Sequence, residues 1–468
     1  MNRENALAKN TIILTIGKFL PQLFNLVTLP IITGKLTTAE YGTYDLILTL
    51  VALLLPIATL QIQSAAFRFL IDARKEEDRK TEIITNIVAF TTVISLAALL
   101  ILFFALYKLD WLTRTLISLY FFFDILNQTL GQIVRGLSHN KEFAISSILL
   151  ALINMLVIVA TLDIVNWGLN GVLIAAIISS AVSNIYLTSR INIKQYLKIS
   201  ELSKKCLLQM LKYSWPMVPN NLSSWVLKIS DRLIITFFLG VEANAIYAVA
   251  NKIPNILNIA RGTFVMAWQE NAAIVSKDED ATAYYSKMFD VIYSMIIGMT
   301  GLLIAGTPIM FKILIRGNYD AAYYQMPLLF IGIFFGCMSA FQGGIYVAYM
   351  KTASVGITTM LAAACNLLVD FLLVNRIGIT AGSISTLISY FLLFIYRMFD
   401  VRKIQDIKYN YVKLIGQSLV IIVMCVLCYI RNIYLDIINI VIGVLFFILV
   451  NKEMIGQIVT KYMKKVKK

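Results

Sequence analysis

The chain has 468 residues, of which 59% are hydrophobic and 14% are charged, and its formal net charge is +15. Soluble domains carry roughly 25% charged residues, so the composition excludes an ordinary water-soluble protein. A charge of this size also occurs in nucleic-acid-binding proteins, but here the basic residues lie between long apolar runs. The sequence therefore predicts an all-α integral membrane protein that does not bind nucleic acid.

The apolar runs follow one another along the whole chain, and each can cross about 30 Å of hydrocarbon as a helix. The first run continues past about 20 residues without a small-residue cleavage site, which favours a membrane span over a cleaved signal peptide. About 14 transmembrane helices are predicted, near 10–33, 44–69, 83–106, 112–134, 143–165, 169–189, 210–239, 244–269, 287–311, 324–349, 353–375, 379–399, 411–430 and 433–451.

The distribution of Lys and Arg predicts the orientation. If the N-terminus is cytoplasmic, most of the 41 basic residues fall in cytoplasmic segments, as the positive-inside rule requires. An even number of spans then places both termini in the cytoplasm. The basic tail that ends at Lys468 is interpreted as a contact with lipid headgroups.

The longest polar stretch between the early and late spans separates two sets of six helices. The two extra helices that follow the second set have no counterpart in the first. We divide the chain into an N-terminal six-helix lobe (1–190), a cytoplasmic linker (191–209), a C-terminal six-helix lobe (210–403), and two extra helices with a basic cytoplasmic tail (404–468).

The two lobes resemble each other weakly in sequence. The segment 36–44, which follows span one, is similar to 239–247, which follows span seven. The segment 151–157 is similar to 364–369. Because an even number of spans separates the copies, the pattern predicts a parallel repeat with pseudo-symmetric lobes.

Polar side chains are concentrated in spans one, two, seven and eight. Lys18, Gln22 and Asn25 recur at helical spacing and share one face of span one. A charge at mid-bilayer costs about 2.5–3.5 kcal/mol, so such residues are expected to face protein or water. The residues predicted to line a cationic, substrate-binding cavity are Lys18, Gln22, Asn25, Arg68, Asn221, Lys228, Arg232, Lys252, Asn255 and Arg261.

The charged members of this set are all basic, which suits an anionic ligand such as a phosphate or pyrophosphate. Snorkelling side chains and local ion pairs are the alternative interpretation, above all for Arg68 and Lys252. On an ideal helix, Lys252 and Arg261 cannot both point into one cavity, but Pro254 could bend the helix between them.

Three acidic residues lie inside predicted spans: Asp124, Asp231 and Asp370. Carboxylates at such positions are candidates for coupling transport to protons or sodium ions. Hydrogen bonding between helices is the competing interpretation.

The sequence contains no constellation for catalysis. His139 is the single histidine, the five cysteines are scattered, and no glycine-rich phosphate-binding loop is present. We therefore predict no enzymatic activity, no metal and no cofactor.

Several segments resemble a known family. They are 29–44, then 64–69 and then 231–253. In these segments and in the six-plus-six-plus-two plan, the chain resembles the Wzx-type oligosaccharide flippases of polysaccharide export. These belong to the multidrug/oligosaccharidyl-lipid/polysaccharide (MOP) exporter superfamily.

The resemblance implies two helical lobes lined by spans one, two, seven and eight. It also implies translocation of undecaprenyl-pyrophosphate-linked repeat units across the bacterial cytoplasmic membrane by alternating access, for O-antigen, capsule or exopolysaccharide assembly. The basic residues would hold the pyrophosphate. The expected partners are this lipid-linked substrate, membrane lipids, and a polysaccharide polymerase with its export machinery, and the expected state is a monomer.

Two alternatives from the same superfamily remain open. A flippase of the lipid-linked peptidoglycan precursor also combines fourteen spans with a basic cavity. A cation-coupled multidrug exporter usually has twelve spans and an acid in the first span, where this chain has Lys18.

Overall fold

The computed structural model describes residues 3–276 and 278–456. The predicted basic tail beyond residue 456 lies outside this range. All regular elements within it are helical and comprise short 3₁₀ and π segments and eighteen α-helices. They are α1 (Arg3–Lys35), α2 (Thr38–Thr59), α3 (Ile62–Asp72), α4 (Glu77–Ala105), α5 (Trp111–Gly136), α6 (Asn140–Val159), α7 (Gly168–Arg190), α8 (Lys204–Ser214), α9 (Met217–Leu239), α10 (Val241–Lys252), α11 (Asn255–Val275), α12 (Ala281–Leu314), α13 (Asp320–Tyr323), α14 (Met326–Ala348), α15 (Thr352–Ile377), α16 (Thr380–Asp400), α17 (Tyr411–Ile430) and α18 (Ile433–Val450).

The all-α membrane fold predicted from the sequence is confirmed. Across the described part of the chain, 11 helical segments are long and apolar enough to cross a membrane. The three other predicted spans correspond to α5, α9 and the pair α10–α11. These helices carry more polar residues: α9 alone contains Lys228, Asp231 and Arg232.

The chain forms two compact units, Met1–Trp225 and Val226–Lys468, here called unit 1 and unit 2. In unit 1, α6 packs against α1 and α7, and α5 packs against α3, α4 and α7. Gly17 makes the contact between α1 and α6 possible, because a Cβ at this position would lie 2.6 Å from Cβ of Ala144. Small residues of this kind allow membrane helices to approach closely.

Unit 2 repeats this pairing with its own helices. Its α16 packs against α14 and α15, and α14 packs against α11 and α12. Thus α15–α16 corresponds to α6–α7, and α14–α16 corresponds to α5–α7. The hairpin α17–α18 has no counterpart in unit 1 and packs against α12, where the Asn451 side chain donates a 3.2 Å hydrogen bond to the Ser294 carbonyl.

Three predicted spans are each divided between two helices. Span seven, predicted at 210–239, begins inside α8 and continues as α9, with the interruption at positions 215 and 216. Span two breaks between α2 and α3, where Leu60 and Gln61 adopt left-handed backbone angles with φ of 48° and 57°. Span eight breaks at Pro254, which has no amide hydrogen to continue the helical ladder. A break near Pro254 was anticipated, whereas no proline or glycine marks the break at Leu60.

The segment predicted as a linker is bonded to unit 1. Asn86 of α4 donates to the Glu201 carbonyl at 2.9 Å and accepts from the Ser203 amide at 2.9 Å. The Thr85 hydroxyl donates to the Tyr196 carbonyl at 2.6 Å. Buried Cys206 of α8 joins the same apolar cluster, so this segment is part of the packed structure of unit 1.

Candidate ligand-binding groove

Unit 2 contains a groove with a volume of about 570 Å³ between α9, α10, α11 and α14, which we call the basic groove. Among the side chains that the structure describes, its charged lining residues are Arg232, Lys252 and Arg261, and none is an Asp or a Glu. The described lining residues are Ile229, Arg232, Asn251, Lys252, Asn255, Asn258, Arg261, Gly262, Val265, Ile333 and Ala340.

The break at Pro254 decides which side chains reach the groove. Lys252 ends α10, and Arg261 lies in the second turn of α11. Both line the basic groove because the helix does not continue regularly from one to the other.

Arg261 is held against α14 and α16. Its guanidinium lies 5.8 Å from the ring centre of Tyr390, within the range of a cation–π contact. Gly336 leaves the space for it, because a Cβ there would lie 3.2 Å from Nη1 of Arg261. A guanidinium held in this way keeps a planar set of donors available for oxyanions.

Three asparagines extend the polar surface of the basic groove. The Asn258 side chain donates to Oδ1 of Asn255 at 3.1 Å, and the Asn251 side chain donates to the Tyr247 carbonyl at 2.9 Å. Amides of this kind both donate and accept hydrogen bonds. The groove therefore offers cations for an anionic group beside amides for hydroxyl groups.

Five predicted site residues lie in unit 1. Lys18 and Asn25 are exposed on α1 and Gln22 is half-buried. Arg68 pairs with Asp72 at 2.6 Å near the end of α3. The Asn221 side chain donates to the Met217 carbonyl at 3.1 Å.

Lys228 belongs to α9, but its side chain lies outside the described residues. The other predicted cations of α9, α10 and α11 are Arg232, Lys252 and Arg261. The structure brings these three together, along with the predicted Asn255.

Unit 2 also contains two buried carboxylates. Oδ2 of Asp231 accepts hydrogen bonds from the hydroxyls of Tyr247 at 2.7 Å and Thr386 at 2.8 Å. Asp370 is fully buried in α15. Within the described ranges, both of its carboxylate oxygens and Oδ1 of Asp231 have no hydrogen-bond partner. Buried oxygens without partners are costly, so they mark a place where a proton or a cation would be favoured.

Asp231 and Asp370 are here called the acidic pair. Asn366, four positions before Asp370, connects α15 to α9 and α16. It accepts from the Ser230 hydroxyl at 3.5 Å and donates to the Ser385 hydroxyl at 3.2 Å. In unit 1, Asp124 is half-buried in α5, and the nearby Asn127 donates to Ser183 at 2.8 Å. Across the part of the chain that the structure describes, no cluster of three or more His, Cys, Asp or Glu could hold a metal.

Sequence reasoning left four of these residues out of the candidate site. Asn251 and Asn258 belong to the polar face of span eight, so helical spacing was a sufficient signal for both. Tyr247 lies in the segment that resembles the flippase family. Thr386 lies in an apolar span and carries no sequence signal, because only the packing of α16 on α9 brings it to Asp231.

The molecule is a multi-pass α-helical membrane protein, and its fold is the one seen in solved transporters of the MOP superfamily. It is similar to an inward closed conformation of the lipid II flippase MurJ, with a TM-score of 0.73 and 14% identity over 96% of this chain and 100% of that one. It is also similar to an inward-facing MATE-family multidrug resistance transporter, with a TM-score of 0.70 and 10% identity over 84% and 98% of the two chains. At these identities the likeness concerns the fold alone.

A third similar structure is a MOP-superfamily transporter from Pyrococcus furiosus, described as having a binding pocket of reverse polarity. Its TM-score is 0.60, with 12% identity over 85% of this chain and 95% of that one. The family model described as "Polysaccharide biosynthesis protein" matches residues 7–269, more than half of the chain. The chain belongs to this family. No curated protein matches it by sequence.

Proposed function

We propose that this protein is a flippase without enzymatic activity. It translocates undecaprenyl-pyrophosphate-linked oligosaccharide repeat units across the bacterial cytoplasmic membrane by alternating access. In this proposal both termini are cytoplasmic, and the protein acts as a monomer. It hands its substrate to a polysaccharide polymerase and its export machinery.

The observation that carries the proposal is the charge of the basic groove. Arg232, Lys252 and Arg261 converge on it, and they are the charged residues among its described lining, so the groove favours an anionic ligand. A pyrophosphate offers two adjacent phosphates that arginine can bind in bidentate fashion. The asparagines beside the cations suit sugar hydroxyls.

The remaining predicted cavity residues belong to the same proposal. Lys18, Gln22, Asn25, Arg68 and Asn221 of unit 1, together with Lys228, are proposed to contact the same ligand during the transport cycle. For Arg68, this contact has to replace its ion pair with Asp72.

The family match supports a polysaccharide substrate over the two alternatives. A multidrug exporter of cationic compounds would have to bind its substrate in a groove whose charged residues are basic, which Coulomb repulsion opposes. A peptidoglycan-precursor flippase shares the pyrophosphate chemistry. The two flippases are distinguished by which lipid-linked intermediate accumulates when transport is blocked.

We further propose that the acidic pair couples transport to an ion. Asp231 and Asp370 present carboxylate oxygens without hydrogen-bond partners in the described structure, and a proton or a sodium ion would satisfy them. Asp124 is the corresponding candidate in unit 1. Transport in vesicles that continues unchanged after all ion gradients are collapsed would exclude this coupling.

Charge reversal tests the proposed function. Arg232→Glu, Lys252→Glu and Arg261→Glu are expected to abolish surface polysaccharide in the native host while the lipid-linked repeat unit accumulates. The control is Arg376→Glu, on the exposed surface of α15, measured at equal membrane abundance. Normal export by all three groove variants would refute the proposal. Accumulation of the peptidoglycan precursor would support the alternative flippase.

A further inference from the structure

The segment 194–215 of unit 1 has two different faces. One face packs into unit 1 through the Asn86 and Thr85 hydrogen bonds and through buried Cys206 and Met210. The other face, which we call the linker surface, is exposed. Because the packed face fixes the conformation of this segment, the side chains on its exposed face also keep fixed relative positions.

Large apolar side chains occupy the linker surface. Ile199 is 87% exposed, and its exposed apolar neighbours are Leu197, Leu202, Leu208 and Trp215. Leu208 lies on α8 and Trp215 caps its C-terminal end with helical backbone angles. The two residues are seven positions apart, so they share the face opposite Cys206. Such exposure in one short segment marks an interaction surface.

The same surface is strongly basic. Its exposed lysines are Lys194, Lys198, Lys204, Lys205 and Lys212. Glu201 is the only acidic residue in the sequence between positions 191 and 216. Lysines interleaved with leucine and tryptophan are the pattern by which a segment lies in the interface of an anionic membrane.

Helix α4 places the linker surface at the edge of the membrane. This helix has 29 residues, about 43 Å at 1.5 Å per residue, which exceeds the roughly 30 Å of hydrocarbon. Its first turns are charged, with Glu77, Asp78, Arg79 and Lys80. Thr85 and Asn86 lie just beyond Glu82, the last charged residue of this helix. The segment they hold therefore lies where the charged turns end and the apolar span begins.

From these observations we infer that the linker surface is a peripheral membrane-binding element that recognises the headgroups of anionic phospholipids. The lysines contact the headgroups, and the apolar side chains enter the boundary between headgroups and acyl chains. This role is independent of the proposed function of the basic groove, because it involves none of the groove residues.

Hydrogen–deuterium exchange of the full chain in nanodiscs tests the inference. We expect the peptides from 194–215 to exchange more slowly in discs that contain phosphatidylglycerol than in discs of pure phosphatidylcholine. Each lysine that reaches an anionic surface strengthens the association by about fivefold. The triple variant Lys198→Gln, Lys204→Gln, Lys205→Gln should therefore lose the difference between the two lipids. Ile199→Asp with Leu208→Asp should reduce the protection in both.

The control removes three exposed lysines elsewhere, as Lys351→Gln, Lys408→Gln, Lys452→Gln, and should keep the difference. Equal exchange in both lipid compositions would overturn the inference. So would loss of the difference in both triple variants, which would indicate a non-specific charge effect. Protection that appears only when two copies share a disc would assign the surface to a second copy of this chain instead.

Discussion

The hydroxyl of Tyr247 in α10 donates a 2.7 Å hydrogen bond to Oδ2 of Asp231 in α9, and both residues are buried. Thr386 donates to the same oxygen from α16. One carboxylate therefore joins three helices of unit 2. Gly382 allows the approach, because a Cβ at this position would lie 2.9 Å from Cζ of Tyr247.

The substitution Tyr247→Phe keeps the ring and removes this donor. We expect it to destabilise the protein by about 1–2 kcal/mol, because a buried carboxylate oxygen loses one of its two hydrogen bonds. Thermal unfolding of the purified protein in detergent measures the effect. The control is Tyr434→Phe, at the exposed start of α18. Equal midpoints for the two variants would show that the hydrogen bond contributes little.

The contact between α11 and α14 depends on Gly344. A Cβ at this position would lie 2.5 Å from Cδ1 of Trp268. That indole is 2% exposed, and its Nε1 donates to the Phe341 carbonyl at 2.8 Å. We expect Gly344→Ala to cost about 1–3 kcal/mol through overpacking, measured by thermal unfolding. Gly356→Ala, where no atom lies within 4 Å, is the matched control and should be neutral or stabilising.

Arg397 in α16 is 3% exposed and is bonded to neutral oxygens. It donates to the Ser339 carbonyl at 2.9 Å, to the Val355 carbonyl at 3.0 Å and to the Thr358 hydroxyl at 2.7 Å. Lysine keeps the charge but cannot reproduce this planar set of donors. We therefore expect Arg397→Lys to cost more than about 2 kcal/mol. The control is Arg376→Lys at an exposed position, which should change the thermal unfolding midpoint little. An equal loss of stability in both variants would show that the hydrogen bonds of Arg397 contribute little.

The reactivity of the Cys206 thiol depends on whether α8 is packed against the rest of unit 1. Burial raises the pKa of this thiol to about 11, so little reactive thiolate forms near pH 8. Asn86→Ala removes both hydrogen bonds that hold positions 201 and 203. We expect alkylation of Cys206 to accelerate about tenfold or more, as followed by peptide-resolved mass spectrometry. Gln209→Ala, at an exposed position of α8, should leave the rate unchanged.

Much of the architecture follows from local sequence alone. The apolar runs must form helices because a bilayer leaves no partner for an unpaired backbone group. The excess of basic and amide residues in spans seven and eight led us to predict Arg232, Lys252, Asn255 and Arg261 as cavity residues. All four line the basic groove, and their contact with a ligand stays a prediction. The helices follow from local hydropathy, whereas Lys252 and Arg261 line one groove only because the helix is interrupted at Pro254.

Other features depend on contacts between segments distant in sequence. Thr386 reaches Asp231 across 155 positions, and no local pattern encodes that approach. No proline or glycine stands at Leu60 or Gln61 themselves, so the residue types at these two positions did not predict the break. The segment 191–209 looks like a polar linker because lysines dominate it, yet Asn86 and Thr85 bind it to α4.

The sequence by itself determined a helical membrane protein with an excess of basic residues in its polar spans, since hydropathy and charge act locally. Only the tertiary structure decided which of those cations share a groove and which carboxylate oxygens are buried without partners. The reason is that burial and hydrogen bonding are properties of several helices at once, and close contacts such as Gly344 with Trp268 determine how those helices meet.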